Sequence, residues 1–396
     1  MKKVSVIGQG YVGLPLALAA AQSGYHVTGI DVSQAKIKAL ANGISFIEDI
    51  SSTTLQELLA SGNYIPTCNF ESIANSEVVV ICVPTPLDEN KEPDLSYIEN
   101  ALCEILKYLQ PDTLIILEST VAPGTTRNFL ANYITLNSKI SGDQFFVAFS
   151  PERIDPGNKD WDVQNTPKII AGINPHSLDK AYQFYSKFIS NLYRCESLEI
   201  AETAKLLENS FRLVNISLVS ELSRFCTTIG VDVNKVIDAA ATKPYGFMRF
   251  TPSVGVGGHC IPVDPIYLSN AASKSGAPIK LIDLAFQINQ DLPQYFLLRA
   301  ESILKNLSGK RILIIGVAYK PNVSDVRETA VKPLIDLFKE KNVNVTWHDD
   351  LVKTWNGEVS TPISSDFDLA ILATPHDYVD LSELKNVPIL DTRESV

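Results

Sequence analysis

The first thirty or so residues restrict this chain more than any other stretch. Lys3 to Gly8 is a short apolar run, Gly8-Gln9-Gly10-Tyr11-Val12-Gly13 follows, and Leu14 to Ser23 has a helical pattern stopped by Gly24. His26 to Ile30 is apolar again and ends in Asp31. Strand, glycine turn, helix and strand make a βαβ unit, which belongs in a parallel sheet. The glycine spacing alone is a weak signal, because glycines also serve plain turns. The flanking strand, the following helix and the acid beyond it supply the context of a dinucleotide-binding turn. Unpaired N–H groups and the partial positive charge at the helix start, beside Tyr11 and Val12, suit a pyrophosphate. Asp31 suits the adenosine ribose hydroxyls and repels a 2′-phosphate, which favours NAD over NADP. Lys36 either reaches the same ribose or is a solvated surface lysine; the pattern leaves both open.

Further buried strands are expected at Glu77–Val83, Thr113–Glu118, Gln144–Phe149 and Lys168–Gly172, with helices at Ser96–Tyr108 and Thr125–Tyr133 between them. This alternation predicts an α/β, doubly wound parallel sheet. From about Ser197 the pattern changes. Glu199 to Cys226 holds helical periodicity without Pro or Gly, longer than the roughly 8–20 residues usual in a globular helix. A helix of that length is expected to be a domain-spanning axis or a subunit interface. Helices follow at Asp232–Ala240 and Leu281–Asn306, the last broken or kinked by Pro293. A second βαβ unit starts at Gly309: strand Arg311–Gly316, helix Thr329–Glu340, strand Asn344–His348. Asp368–Ala373 and Val387–Leu390 extend that sheet, with Pro388 marking an edge. The division expected is a Rossmann domain over 1–196, a helical domain over 197–300 carrying the long connecting helix and a dimer interface, and a Rossmann-like domain over 301–396.

Composition excludes several classes. A net charge of -11 argues against a nucleic-acid surface and against binding to an anionic membrane, so a phosphate-bearing ligand must be held by local groups. No apolar run approaches the roughly 20 residues needed to span a bilayer. Met1-Lys2-Lys3 faintly resembles a leader, but Gly8, Gln9 and Gly10 interrupt the apolar stretch, which points to the cytoplasm. The six cysteines show no ligand-like spacing, so neither a disulfide framework nor a metal site is expected. Cys82 and Cys103 lie in apolar patterns and are expected in the core.

Three strand ends are polar and punctuated by proline: Cys82-Val83-Pro84-Thr85-Pro86, Glu118-Ser119-Thr120 through Thr125, and Phe149-Ser150-Pro151-Glu152-Arg153-Ile154-Asp155-Pro156-Gly157. Together they read as a pocket rim, since open α/β sheets bind ligands at these ends. On the long helix Glu202, Lys205, Asn209 and Arg212 share one face. Apolar neighbours such as Ile200, Leu207 and Phe211 suggest that the helix is mostly buried, and a buried lysine needs a partner or a task. Gly257-Gly258-His259-Cys260-Ile261-Pro262-Val263-Asp264 sets a thiol in a glycine-lined turn, where the backbone can approach a ligand. His259 is adjacent, but consecutive residues of an extended segment point apart. Lys205 is the better candidate to activate the sulfur, and Asp264 could position a water or hold Lys205. Such a thiol can capture an aldehyde covalently so that a second hydride can leave.

These residues resemble the nucleotide-sugar 6-dehydrogenases, the UDP-glucose/GDP-mannose dehydrogenase family. The likeness runs through the whole chain and adds Ser-Thr-Val-x-Pro-Gly, Ser-Pro-Glu, Glu-x-x-Lys-x-x-x-Asn, Gly-Gly-x-Cys-x-Pro-x-Asp and Gly316-Val317-Ala318-Tyr319-Lys320-Pro321-Asn322…Asp325-Val326-Arg327 to the glycine opening and Pro84-Thr85-Pro86. The resemblance implies NAD as cofactor, held by the glycine turn, Pro84, Thr85 and Thr120, and a UDP-sugar as substrate. It implies Cys260 as the nucleophile of a thiohemiacetal and then a thioester. Lys205, Asn209 and Thr120 would stabilise oxyanions, with Lys205 also a possible proton acceptor. Glu152 would serve acid–base chemistry in thioester hydrolysis, and Asp264 would order water. Tyr319 and Lys320 would hold the nucleotide diphosphate, while Arg327 would contact NAD or substrate. Arg153, Ile154, Arg212, Arg249 and Gly257 complete the substrate set, and one arginine could come from a second subunit of a homodimer or larger homo-oligomer. The second Rossmann-like domain lacks the glycine fingerprint, so no second NAD is expected there.

UDP-glucose enzymes typically read Gly-Ser-Cys-Phe-Pro-Lys-Asp and Pro-Glu-Phe-Leu. This chain has Val263 where they have lysine, and Arg153-Ile154-Asp155 after Pro151-Glu152. Both differences resemble the N-acetylhexosamine branch, with UDP-N-acetylglucosamine favoured and UDP-N-acetylmannosamine or UDP-glucose as alternatives. A single-step hydroxyacid dehydrogenase would give one NADH per substrate; a non-catalytic nucleotide-binding protein would give none.

Overall fold

The computed structural model describes every residue except 1, 48, 49, 141–143, 156, 157, 159, 259 and 396. Met1, Pro156, Gly157 and His259, discussed above, therefore lie outside the described residues. The chain forms two compact units, Met1–Leu207 and Glu208–Val396.

The first unit is built on an eight-stranded sheet: β1 (Lys3–Ile7), β2 (His26–Ile30), β3 (Tyr64–Thr67), β4 (Val78–Ile81), β5 (Leu114–Leu117), β6 (Phe146–Phe149), β7 (Lys168–Gly172) and β8 (Leu192–Arg194). Their order is β3-β2-β1-β4-β5-β6-β7-β8. The first six are parallel and run 3-2-1-4-5-6, the dinucleotide-binding order, with its switch point between β1 and β4. The central strands β4 and β5 are apolar and buried throughout because helices cover both faces. Those covers include α1 (Gly13–Gln22), α2 (Gln34–Ala41), α3 (Ser52–Ala60), α4 (Ser96–Leu106), α5 (Asn132–Asn137) and α6 (Pro175–Tyr185). A π-helical turn, Thr126–Ala131, leads into α5.

One expectation needs correcting. β7 pairs antiparallel with β6, through Ala148–Gly172 and Phe149–Ala171, so the sheet is not parallel throughout. No helix lies between these two strands among the described residues, and without a crossover the chain returns in the opposite sense.

Helix α7 (Leu198–Ile229) runs 32 residues, starting in the first unit and finishing in the second. Nothing inside it breaks a helix, and Gly230, at φ +67°, ends it. It is not mostly buried, as its apolar neighbours had suggested. Leu206 and Leu213 are fully enclosed, but Ile200, Leu207, Phe211, Leu218, Phe225 and Ile229 are exposed.

The second unit continues with α8 (Val233–Ala241), α9 (Asp264–Lys274), α10 (Lys280–Leu304) and α11 (Val331–Glu340). Its sheet, β10-β9-β13-β14, is all parallel: β9 (Arg311–Ile315), β10 (Asn344–His348), β13 (Leu369–Leu372) and β14 (Ile389–Asp391). A small hairpin, β11 (Thr354–Trp355) with β12 (Glu358–Val359), stands apart. β14, just after Pro388, is the sheet edge. Pro293 does not interrupt α10. One missing ladder bond is outweighed there by burial of Leu292, Phe296, Leu297 and Ala300 in the core. Cys103 is a second correction: it is exposed, with Sγ 2.9 Å from the Tyr133 hydroxyl. No described helix is long and apolar enough to cross a membrane.

Candidate active site

In the first unit the glycine turn leaves β1 and enters α1. Gly8 has φ +90°, and a Cβ there would lie 2.4 Å from the Cys82 carbonyl oxygen at the end of β4. A Cβ on Gly13 would meet the Gly8 carbonyl oxygen at 1.8 Å. Both glycines therefore let backbone pack on backbone. Gly10 differs: nothing lies within 4 Å of its Cβ position, so its missing side chain leaves room above the turn. The start of α1, beside Tyr11 and Val12, has no side-chain cap and no acid in its first turn. Its positive end is thus kept for an anion, which fits a dinucleotide pyrophosphate.

Asp31, at the end of β2, is buried. It accepts the N–H of Gln9 at 2.9 Å, the N–H of Ser33 at 2.9 Å and the Lys36 ammonium at 3.3 Å. Lys36 is exposed and pairs with the acid. Gln9 is enclosed as well, donating to the Val6 carbonyl and accepting from Tyr64 at 2.8 Å. That bond passes over Gly29, where a Cβ would come within 2.6 Å of both partners' oxygens. Pro84 is exposed, while buried Thr85 donates its hydroxyl to the Thr120 carbonyl at 2.8 Å. Ser119 donates to Val83 in the same way, so the ends of β4 and β5 are laced together.

Behind these ends lies a charged cluster that the sequence reading did not anticipate. Lys168, the first residue of β7, donates to Glu118 at 3.0 Å and to the Pro151 carbonyl at 3.2 Å, and stands 3.7 Å from Glu152. Tyr185 of α6 donates to the other Glu118 oxygen. Burial pushes the Glu118 carboxyl up to about 7, with Lys168 and Tyr185 opposing and Glu152 adding to the rise. Cys82, half-buried beside them, has its thiol pushed well up by burial and by Glu118. Glu152 takes the N–H groups of Arg153 and Ile154 on one oxygen, at 2.6 Å each. Arg153 in turn donates to the Pro167 carbonyl. A lysine opening an otherwise apolar strand was the signal available in the sequence.

On α7, Glu202 is fully enclosed and receives the N–H groups of Gly124 and Thr126 at 2.6 and 2.8 Å. It caps the turn after β5, which gives it a structural task. Lys205, one helical step on, is 7% exposed.

In the second unit Asn209 donates to Asp264 at 2.6 Å, both groups being buried. Cys260 is exposed, and its carbonyl accepts the N–H groups of Val263 and Asp264 where α9 begins. The two glycines before it also allow a close approach within the chain itself. A Cβ on Gly257 would lie 2.7 Å from the Glu328 carbonyl, and one on Gly258, at φ +83°, 2.8 Å from the Tyr319 ring. Gly258 also donates to the Arg327 carbonyl at 3.1 Å. The glycines thus let the cysteine loop lie on the loop that carries Tyr319, Lys320 and Arg327. That loop closes on itself through Tyr319 N–H and the Asp325 carbonyl, while the exposed Arg327 guanidinium is gripped by the Asp325 carboxylate. Arg212 and Arg249 are exposed, and Arg249 pairs with Asp238 of α8.

The second sheet repeats the device at the first sheet's switch point. Gly316, at φ +84°, follows β9, and a Cβ there would meet the Thr374 carbonyl at 2.0 Å. Asp349 follows β10 as Asp31 follows β2, and takes the N–H of Val317 at 2.9 Å. Asp349 is sealed, however. It also accepts from Leu351, Val352 and His376, and its side chain is wholly enclosed. The His376 Nδ1 accepts the N–H of Asn322, so the ring holds its proton on Nε2 toward Asp349. An acid spent in this way has no lone pair facing outward for a ribose. Among the described residues no group of three metal-ligating side chains is close enough to hold an ion.

Three models of one family match in order: UDP-glucose/GDP-mannose dehydrogenase family, NAD binding domain over residues 2–189, its central domain over 199–291 and its UDP binding domain over 313–396. The UDP-N-acetyl-D-glucosamine 6-dehydrogenase of Pseudomonas aeruginosa is 34% identical over 97% of this chain and 92% of its own. A UDP-N-acetyl-D-mannosamine dehydrogenase of Methanococcus maripaludis is also 34% identical, over 99% and 93%. Among solved structures, a UDP-D-ManNAc dehydrogenase from Pyrococcus horikoshii superposes with a TM-score of 0.92 at 30% identity, covering 100% of this chain and 96% of that one.

Proposed function

Because the chain belongs to the UDP-glucose/GDP-mannose dehydrogenase family, and is thus an NAD-dependent nucleotide-sugar 6-dehydrogenase, we propose that it oxidises the C6 hydroxyl of UDP-N-acetylglucosamine to the uronic acid. NAD, when bound, takes one hydride at each of two oxidations. Gly8, Gly10, Gly13 and Asp31 would hold it, and the room at Gly10 with the uncapped start of α1 fits the pyrophosphate.

Cys260 is assigned the covalent step. Its sulfur adds to the C6 aldehyde to give a thiohemiacetal, whose oxidation leaves a thioester. Lys205, Asn209 and Thr120 stabilise the oxyanions, with Lys205 also able to accept a proton. Glu152 assists the water that opens the thioester, and Asp264, holding Asn209, orders that water. Tyr319 and Lys320 hold the nucleotide diphosphate, with Arg153, Ile154, Arg212, Arg249 and Gly257 completing the substrate set and Arg327 facing NAD or sugar. The three-part division at 196/197 and 300/301 is part of this reading. So is a homodimer or larger homo-oligomer assembled on the exposed apolar side of α7.

The observation that supports the N-acetyl branch is Glu152-Arg153-Ile154-Asp155, whose first carboxylate folds back on the next two N–H groups. UDP-N-acetylmannosamine is the second reading, because relatives with both names are equally similar. A spectrophotometric screen of UDP-glucose, UDP-N-acetylglucosamine, UDP-N-acetylmannosamine and UDP-N-acetylgalactosamine decides between them. We expect two NADH per UDP-N-acetylglucosamine; a clear preference for another sugar overturns that choice, and one NADH per sugar overturns the four-electron chemistry.

A further inference from the structure

Of the three N–H donors on a lysine ammonium, Lys168 spends two in hydrogen bonds, to Glu118 at 3.0 Å and to the Pro151 carbonyl at 3.2 Å. Glu152 stands at ion-pair distance from the same ammonium, 3.7 Å away. The Lys168 side chain is 6% exposed and that of Glu118 fully enclosed, whereas Glu152 keeps 15%. Glu118 is held from its other side by the Tyr185 hydroxyl. A buried Lys–Glu pair adds little to stability, since apolar residues of the same volume often do as well. What such residues could not supply is a cation fixed beside a third, partly accessible carboxylate. That carboxylate already has one oxygen tied to the N–H groups of Arg153 and Ile154, and its other oxygen is the one that faces Lys168.

We propose that Lys168 is a positioning residue for Glu152: braced by Glu118 and Tyr185, it fixes the second Glu152 oxygen and the Pro151 carbonyl, and so sets where the acid–base carboxylate points. The proposal rests on the reading that Glu152 serves thioester hydrolysis. In that step a water oxygen bonds to the thioester carbon and the C–S bond breaks, its electron pair returning to the Cys260 sulfur. One water proton passes to Glu152 and on to the released thiolate, and the other stays on the new carboxyl group. A displaced carboxylate slows this step while leaving sugar binding and the first oxidation in place.

The test compares Lys168→Met, Lys168→Arg, the double variant Lys168→Met/Glu118→Gln and Glu152→Gln. The double variant removes both buried charges at once, so it stays informative if Lys168→Met alone fails to fold. Steady-state kinetics with the best sugar of the screen are read together with intact-protein mass spectrometry of the acylated enzyme during turnover. We expect the double variant to lose about tenfold or more in kcat, with KM for the sugar little changed, and to accumulate acyl-enzyme as Glu152→Gln does. Lys168→Arg should recover most of kcat. If Glu152→Gln accumulates acyl-enzyme and the double variant turns over like the wild type, the positioning role falls and the Glu152 reading survives. If Glu152→Gln itself shows no acyl-enzyme, the reading beneath the proposal falls.

Discussion

Cys260 and Glu118 show how differently two reactive groups can be placed. The Cys260 thiol is exposed in the turn that leads into α9, and the proposed chemistry makes it indispensable. Cys260→Ser should abolish four-electron turnover, since an oxygen ester does not replace the thioester route. Assay of NADH per sugar checks this, and retained full turnover would exclude the covalent mechanism. Glu118 is enclosed, with its carboxyl pushed up to about 7 from an ordinary 4.5. Between those values the folded chain holds a proton that the unfolded chain has released. Stability from this group is therefore lost as pH rises through that window and levels off above it. Glu118→Gln should flatten the slope. Thermal melts of both proteins at about pH 5 and about pH 7.5 measure it, and parallel pH dependences would contradict the burial argument.

The elements repeat one lesson about glycine. Gly8 and Gly10 look alike in the motif, yet only Gly8 has positive φ and a backbone carbonyl against its Cβ position. Gly8→Ala should cost well over about 1 kcal/mol in urea unfolding. Gly10→Ala should unfold like the wild type but raise the KM for NAD, because the methyl group occupies only the space assigned to the pyrophosphate. Strands bounded by clear turns were legible in the sequence: β7 and β10 match their expected ranges residue for residue. β3 was not, since Pro66 and its half-exposed residues mask the pattern, and the three-residue β8 is too short to show periodicity. α9 is not among the helices that the sequence pattern predicts, because Asp264-Pro265 resembles a turn as much as a helix start. The candidate site divided the same way. The glycine turn and cysteine loop are contiguous motifs, but Tyr185 meets Glu118 across 67 residues, and only the folded sheet brings that pair together. The glycines before Cys260 were legible as a place of close backbone approach, but their packing on the Tyr319 loop was not, because Tyr319 and Glu328 lie some sixty to seventy residues away in the chain.

At the scale of the whole molecule, α7 presents Ile200, Leu207, Phe211, Leu218, Phe225 and Ile229 along one exposed side, spaced at the three-to-four-residue period of a single helix face. We expect a dimer by light scattering, and Leu218→Glu with Phe225→Glu should shift it to monomer; an unchanged mass would place any interface elsewhere. The two sheets share a plan and differ in the use of one acid. Asp349 is locked inward by His376, whereas Asp31 serves its own turn through Gln9 and Ser33. Re-engineering this enzyme for a phosphorylated coenzyme is therefore not a one-letter edit. Swapping Asp31 for serine removes the charge that disfavours the extra phosphate, but it also unties two amides and strands Lys36. A successful redesign has to rebuild the bend first and change the preference second.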